Sequence, residues 1–259
     1  AKRFATTIPM TPGAKERELY EAINQYLRQH PQSIDKLTRN NLLMRSGSSP
    51  VALTDTIKGL QKRFDHDELA FLLKRASGMK NFEKAKQLLD LLQKSTQQRS
   101  PKGYRFAYGI SAAGRTSPGG NLQGQPLGNP RISSAQKTLV FVNYKSTMSY
   151  LAKYLVKQGI EHTCFQGSMS LKAKDAAIDS FRESVNVMLA SETGGEGRNL
   201  QFANTIVNYD LPWNPMKIEQ RIGRLHRIGQ TQDVFIFNFC LANSIEAYIL
   251  KILHDKINM

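Results

Sequence analysis

The sequence predicts an α/β protein in which a parallel β-sheet carries helices on both faces and follows an all-helical segment. Two features of its 259 residues lead to this class. After residue 137, short apolar runs alternate with amphipathic stretches, as is typical of strands buried on both faces of a parallel sheet. Before residue 79, apolar residues recur at helical spacing. We therefore expect a helical segment at 1–78 and an α/β domain at 79–259.

The first helix is expected over 14–28. Leu19, Ile23 and Leu27 recur there at helical spacing, and Pro12 ahead of them favours a helix start. The same spacing predicts further helices over 33–45, 49–63, 67–76 and Phe82–Lys94.

Residues 99–136 differ from both parts. These 38 residues contain seven Gly, four Pro, five Arg or Lys and no acidic residue. So many turn-forming residues do not sustain a helix, and few apolar residues remain to be buried. We expect a flexible basic insertion in the α/β domain, either a solvated linker or a segment that touches nucleic acid.

Five apolar runs predict the strands of the sheet: Thr138–Val142, Thr163–Phe165, Val185–Ala190, Thr205–Tyr209 and Val234–Phe239. The helices between them include Thr147–Lys157, in which Met148, Leu151 and Leu155 share one face. In parallel sheets, ligands meet the loops at the carboxyl ends of the strands. The residues that follow these runs are therefore the candidates for a site.

The net charge of +15 is uneven along the chain. Residues 1–136 hold 22 Lys and Arg against 10 Asp and Glu, an excess of 12, while the remaining 14 against 11 give an excess of 3. Such an excess favours a polyanionic partner, nucleic acid first, with a merely basic soluble protein as the alternative.

Other bulk features concern location. No run of 18 apolar residues is present, so we expect no membrane span. Cys164 and Cys240 are expected to be buried apolar residues of a reducing compartment, which places the protein in the cytoplasm, at the nucleoid if it binds DNA. A start at Ala1 and an uncapped end at Met259 predict a piece of a longer protein.

A glycine-rich loop follows one predicted strand. Ser191–Leu200 contains Gly194, Gly195 and Gly197, and such closely set glycines can expose backbone amides to an anion. A tight turn is the alternative. A dinucleotide fingerprint does not fit, because its third glycine is replaced by Leu200.

Asp210–Pro215 follows the next strand, and its prolines are expected to end that strand and to start a helix. Trp213, the only tryptophan, is expected to be a packing anchor rather than a platform for base stacking.

The run Gln220–Gln230 carries Arg221, Arg224 and Arg227 at spacings of three. On a helix, this spacing predicts guanidiniums that stack over adjacent turns and point roughly one way. A planar guanidinium suits phosphate oxygens. Taken alone, the run is also compatible with a solvated basic helix face.

The chain lacks two motifs that ATP-hydrolysing enzymes use to bind nucleotide and metal. No Gly-Lys dipeptide occurs, so the chain has no P-loop for a nucleotide phosphate. Asp67-Glu68 follows no predicted strand and is rejected as a metal-binding Asp-Glu box.

Taken together, the motifs resemble the second RecA-like lobe of the Swi/Snf-type superfamily II helicase-like ATPases, and most of all the bacterial RapA-like (HepA-like) branch. The likeness rests on five segments in order: Lys137–Tyr144, Phe165–Gly167, Ser191–Leu200, Asp210–Pro215 and Gln220–Gln230. It covers 137–250, and 11–20 and 46–53 are more loosely similar to the helical region that joins the two lobes. The 99–136 insertion departs from the family pattern.

The resemblance implies that ATP with Mg²⁺ binds between two RecA-like lobes, with P-loop and metal ligands mostly in the first lobe, and that double-stranded DNA crosses both. Arg224 and Arg227 match the family's arginine fingers, and Gln220 matches the glutamine that reads the state of the cleft. The segment implied to lie near the nucleotide is Gly197, Arg198 and Asn199. The residues implied to contact DNA are Gln166, Gly167, Ser168, Thr193, Gly194 and Gly195.

The expected function is that of the C-terminal lobe of an ATP-dependent double-stranded DNA translocase, inactive alone. Its expected partners are DNA, the first lobe of the same protein, and RNA polymerase or another DNA-bound protein. A stand-alone nucleic-acid-binding module and an RNA helicase lobe are the alternatives.

Overall fold

The computed structural model describes residues 1–79, 82–93, 136–192, 199–214 and 216–257, with side chains as far as residue 251. The strands in these ranges are β1 Arg3–Met10, β2 Thr138–Phe141, β3 Thr163–Phe165, β4 Val187–Ala190, β5 Thr205–Asn208 and β6 Val234–Leu241. The helices are α1 Ala14–Gln29, α2 Lys36–Ser46, α3 Pro50–Gln61, α4 Asp67–Ser77, α5 Glu83–Gln93, α6 Lys145–Lys157, α7 Leu171–Glu183, α8 Met216–Leu225 and α9 Ile245–Ile257.

All six strands form one sheet in the order β1-β6-β5-β2-β4-β3, and every neighbouring pair is parallel. The predicted parallel α/β fold is therefore confirmed. Because the strands are parallel, their carboxyl ends lie along a single edge of the sheet. We call this the carboxyl edge.

Strand β1 corrects the expectation of an all-helical N-terminal segment. It pairs with β6 over eight positions, from Arg3 opposite Val234 to Met10 opposite Leu241. The helices α1 to α4 follow it as predicted. Its hydrogen-bonding partner lies more than 200 residues away, so no local pattern in the sequence announces the pairing.

Side chains alternate between two apolar cores, one on each face of the sheet. On one face Leu139 and Phe141 pack with α7 and α8, while on the other Val140 and Val142 pack with α5 and α6. Burying such a side chain contributes about 1.5–3 kcal/mol. This two-sided burial explains why β2, β4 and β5 are buried at every position and show no polar alternation.

Helices α1 to α4 enclose a third apolar core. Buried hydroxyl groups join this cluster to the sheet domain. The Oγ atoms of Ser48 and Ser49 lie 2.8 and 2.7 Å from Thr147 Oγ1 at the start of α6. The Tyr209 hydroxyl, just after β5, donates to the Ser48 carbonyl at 3.0 Å.

Two further expectations concern the whole chain. Both cysteines are free thiols; Cys240 is buried and Cys164 is half-buried, and burial raises the pKa of each.

Across the described residues, no helix is both long and apolar enough to cross a lipid bilayer.

Candidate functional site

The predicted motifs meet at the carboxyl edge. Ser191, directly after β4, donates its backbone N–H to the Phe165 carbonyl at 2.9 Å, and its Oγ accepts from the Gly167 N–H at 3.3 Å. The loops after β3 and β4 are therefore in direct contact. Gln166 and Gly167 are half-buried there, and Ser168 is exposed. The other predicted residues of this region, Thr193, Gly194, Gly195, Gly197 and Arg198, lie outside the described residues.

The three arginines of α8 and its C-terminal extension do not point one way, which corrects the prediction from their spacing. Arg221 is 0% exposed and Arg224 5% exposed, whereas Arg227 is exposed. Three residues turn a helix by about 300°, so two such steps rotate the direction by roughly 120°. In addition, α8 ends at Leu225, two residues before Arg227.

Arg221 joins three loops of the carboxyl edge. Its Nη1 donates to Asn208 Oδ1 at 2.8 Å and to the Asp210 carbonyl at 3.0 Å. Its Nη2 donates to Asn143 Oδ1 at 2.9 Å and to the Glu192 carboxylate. Burial lowers the pKa of the Arg221 guanidinium and Glu192 opposes that shift, so the side chain stays charged.

A buried ionic cluster adjoins this network from the opposite face of the sheet. Asp210 Oδ2 accepts from the Asn143 N–H at 2.8 Å, and its Oδ1 lies 3.6 Å from Lys84 Nζ. Lys84 also forms an ion pair with Glu246. Burial raises the pKa of the Glu246 carboxyl, and Lys84 opposes that shift. We call Lys84, Asp210 and Glu246 the buried ionic cluster.

Sequence reasoning missed Lys84, Asn143, Glu192 and Glu246. Asn143 and Glu192 carried a signal that could have found them, since each follows a predicted strand. Lys84 and Glu246 carried none, because each lies in an ordinary amphipathic helix.

Arg227 faces a different environment. It lines an open cavity of about 780 Å³ together with Asn199, Gln201, Ile228 and Gln230. The structure thus brings together Arg227 and Asn199, two of the residues implied to lie near a nucleotide. Arg224 does not line this cavity; its Nη2 donates to the Glu192 carbonyl at 3.3 Å.

Gln230 fixes the segment that carries Arg227. Its Nε2 donates to the carbonyls of Gln201 and Leu225, both at 2.9 Å. Gln201 Nε2 in turn donates to the Ile228 carbonyl at 3.0 Å. The turn depends on Gly229, whose φ of 94° lies in the left-handed region that other residues adopt only with strain.

Two further predicted residues are exposed. Gln220 is exposed on α8, beside buried Arg221. Trp213 is 43% exposed, which corrects its interpretation as a packing anchor; Leu211, with 0% exposure, occupies the core position of this loop instead.

A known protein family matches the part of the chain that holds these residues. Residues 126–229, which hold the three arginines and the segments after β2 to β5, match the family described as helicase conserved C-terminal domain. The chain contains a helicase C-terminal domain. The predicted resemblance is confirmed, and the sheet has the fold of a RecA-like helicase lobe.

Relatives support this helicase domain. An uncharacterized ATP-dependent helicase of Bacillus subtilis, YqhH, is 31% identical over 265 residues, which cover all of this chain and 41% of that protein. The RNA polymerase-associated protein RapA of Proteus mirabilis is 40% identical over 136 residues, covering 51% of this chain and 14% of RapA. The chain therefore spans less than half the length of these relatives.

The fold has a solved counterpart in the C-terminal part of the Fun30 ATPase domain. The two superimpose with a TM-score of 0.59 over 97% of this chain and 88% of the other. At 17% sequence identity, this likeness concerns the fold alone.

Proposed function

We propose that the chain is the C-terminal lobe of an ATP-dependent double-stranded DNA translocase, and that it supplies arginine fingers and DNA-backbone contacts but no ATPase activity alone. The observation that carries this proposal is the contrast along the arginine run. Buried Arg221 anchors α8 to the carboxyl edge, and exposed Arg227, just beyond the end of α8, lines an open cavity beside Asn199. A guanidinium held just beyond an anchored helix is suited to charge that develops on a phosphate.

Arg227 is the stronger finger candidate. Its Nε donates to the Gly223 carbonyl at 2.8 Å, and within the described residues neither Nη nitrogen has a hydrogen-bond partner. A planar guanidinium can then contact two phosphate oxygens. In GTPases an arginine finger is worth about 10³–10⁵ in rate.

Arg224 is proposed as the second finger, through its contact with the loop after β4. Its Nη2 donates to the carbonyl of Glu192, the residue directly before 193–198 in the sequence. We propose that Gly197, Arg198 and Asn199 lie near the nucleotide, and that exposed Gln220 senses whether the cleft is occupied.

The side chains present fit ATP only in part. Among the described residues, no group of three or more His, Cys, Asp or Glu side chains could hold a metal ion. Mg²⁺ and the β- and γ-phosphates would be held by a first RecA-like lobe of the same protein, which carries the P-loop. This chain would contribute Arg224 and Arg227, whose positive charge stabilises the transferring phosphoryl group.

Double-stranded DNA is the proposed nucleic acid. The loop residues Gln166, Gly167 and Ser168 lie at the carboxyl edge beside Ser191, and we propose that they contact the DNA backbone with Thr193, Gly194 and Gly195. The net charge of +15 supports a polyanionic partner. By analogy with RapA, RNA polymerase or another DNA-bound protein is the proposed target, in the cytoplasm at the nucleoid.

Phosphate release tests this proposal on two samples, the full-length protein and the 259-residue chain alone. We expect duplex DNA to stimulate the full-length protein, and the chain alone to release no phosphate above background with or without DNA. Robust DNA-stimulated hydrolysis by the purified chain alone would contradict the proposal. Stronger stimulation by RNA than by duplex DNA would favour the RNA helicase alternative.

A salt titration tests the DNA contacts. We expect the chain alone to bind duplex weakly and without sequence preference, with an affinity that falls steeply as salt rises because counterions are released. Deleting residues 99–136 should shift this affinity modestly. If the deletion abolishes binding, the basic insertion is a dedicated DNA-binding arm.

A further inference from the structure

The buried ionic cluster is set apart from the cavity that Arg227 lines. The Lys84 side chain is 0% exposed, and those of Asp210 and Glu246 are 2% exposed each. Lys84 Nζ also donates to the Gly47 carbonyl at 3.1 Å and lies 5.1 Å from the centre of the Tyr209 ring. One ammonium group thereby connects α5, α9, the end of α2 and the loop after β5.

Stability alone does not account for this cluster. Taking charged groups out of water costs several kcal/mol per ion, and well-packed apolar residues often replace a buried ion pair without loss. What the cluster adds is a fixed placement of charge, because the Lys84 ammonium group attracts Asp210 Oδ1 across 3.6 Å without a hydrogen bond. Lys84 lies beside Asp210 Oδ1, while Oδ2 of the same carboxylate accepts the Asn143 N–H.

Asn143 connects Asp210 to Arg221, which lies on the opposite face of the sheet. Its Oδ1 accepts from Arg221 at 2.9 Å, and its Nδ2 donates to the Leu211 carbonyl at 3.3 Å. Arg221 then contacts the Glu192 carboxylate, and the Glu192 carbonyl accepts from Arg224. An unbroken series of polar contacts therefore runs from α5 on one face to α8 on the other.

We propose that Lys84 is a positioning residue for the nucleotide-facing end of this lobe. By orienting Asp210, it fixes Asn143 and Arg221, and so sets the position of α8 relative to the loop after β4. This inference rests on the proposed function, in which α8 and the segment after it carry the arginine fingers.

The test uses the full-length protein. Lys84→Met alone leaves two buried carboxylates without their partner and can prevent folding. Lys84→Met combined with Glu246→Gln removes one charge of each sign and leaves only Asp210 unpaired. Asp210→Asn is the milder variant, because it keeps an acceptor for the Asn143 N–H but loses the ion pair with Lys84. Lys86→Met is the matched control, because Lys86 lies on the same helix but is exposed.

Turnover is measured at saturating ATP and DNA, beside the unfolding midpoint. We expect the double variant to recover most of the midpoint lost in Lys84→Met, while its turnover and that of Asp210→Asn stay at least about tenfold below wild type, since small misplacements of catalytic groups are costly. The Michaelis constant for ATP should change less than turnover, and Lys86→Met should match wild type. Recovery of turnover together with the midpoint would overturn the inference, because the cluster would then be merely structural.

Hydrogen exchange separates this inference from the proposed function. Without nucleotide, amides of residues 216–225 and of Asn143 should exchange faster in the double variant and in Asp210→Asn than in Lys86→Met. Unchanged exchange in both variants would refute the positioning role even if the ATPase results hold. Conversely, the proposed function fails if the wild-type protein shows no DNA-stimulated turnover. The hydrogen-exchange experiment still tests the role of Lys84 in that case, because it needs no turnover.

Discussion

The two ends of the arginine run differ more than their sequence suggests. Arg221 is fully buried and donates to partners in three loops, whereas Arg227, six residues later, is exposed and donates to the carbonyl of Gly223. The residue type is the same, and the environment differs. A buried arginine with a carboxylate and carbonyl partners serves to hold elements together, while an exposed one keeps its charge available for a ligand.

Neither simple expectation for the run describes this difference. A solvated basic face would expose all three guanidiniums, and a row of fingers would aim all three at the ligand. The structure shows neither arrangement, because the run begins as an anchor and ends at a cavity. Substitutions at the two ends should therefore affect the protein differently.

Replacing Arg221 should have the largest effect on stability. Arg221→Met leaves Glu192 without its ionic partner and leaves Asn143 and Asn208 without their shared donor. We expect a loss of about 3–5 kcal/mol in the free energy of unfolding, the cost of breaking a buried ion pair on one side. Urea denaturation of the chain measures it.

Arg227→Met is the matched control for that measurement, since it removes the same group from the exposed end. We expect a change within about 0.5 kcal/mol. Equal losses for the two variants would remove the contrast between anchor and finger.

Gln230→Ala should have an intermediate effect, because Gln230 holds the exposed end in place. It leaves the carbonyls of Gln201 and Leu225 without this donor, and we expect a loss of about 1–3 kcal/mol in unfolding free energy. The rate of proteolysis near Gly229 should rise as well. Gln232→Ala, two residues beyond, is the control and should leave both quantities unchanged.

Arg3→Ala should have only a small effect. Arg3 Nη1 lies 3.1 Å from Glu219 Oε2 and links β1 to α8, with side chains 44% and 28% exposed. Exposed ion pairs of this kind contribute about 0–1 kcal/mol and weaken as salt rises. Thermal unfolding at low and high salt should show a small loss that salt removes. A loss that persists at high salt would mean that the hydrogen bond from Arg3 Nε to His226 Nδ1 or the packing of β1, rather than the ion pair, is affected.

Much of the fold could be predicted because its signals are local. Apolar runs gave the strands β2 to β6, and helical spacing gave α1 to α5. The placement of the motifs at one edge then followed from parallel strands. Strand β1 could not be predicted in this way, because its partner β6 is remote in sequence.

The meeting of the motifs at the carboxyl edge was predictable, but the burial of the individual arginines was not. The residue types of Arg227 and Asn199 suit a phosphate, and the structure places both beside one cavity. Residue type does not reveal that Arg221 lies beneath the carboxyl edge, because that depends on acceptors from three loops. The burial of Lys84 could not be predicted either, since its partners Asp210 and Glu246 lie more than 120 residues away in sequence.

The central claim is that Arg227 acts on the nucleotide and not on DNA. The most direct test measures ATP turnover and duplex affinity on one variant, Arg227→Ala, in the full-length protein. We predict turnover at saturating DNA that falls at least about a hundredfold, or roughly 2.7 kcal/mol of transition-state stabilisation, with nearly unchanged affinity for DNA in the absence of nucleotide. Arg227→Lys should rescue turnover poorly, because an ammonium group cannot reproduce two parallel hydrogen bonds. Normal turnover at saturating DNA, together with weakened DNA binding and a shallower dependence on salt, would contradict the account.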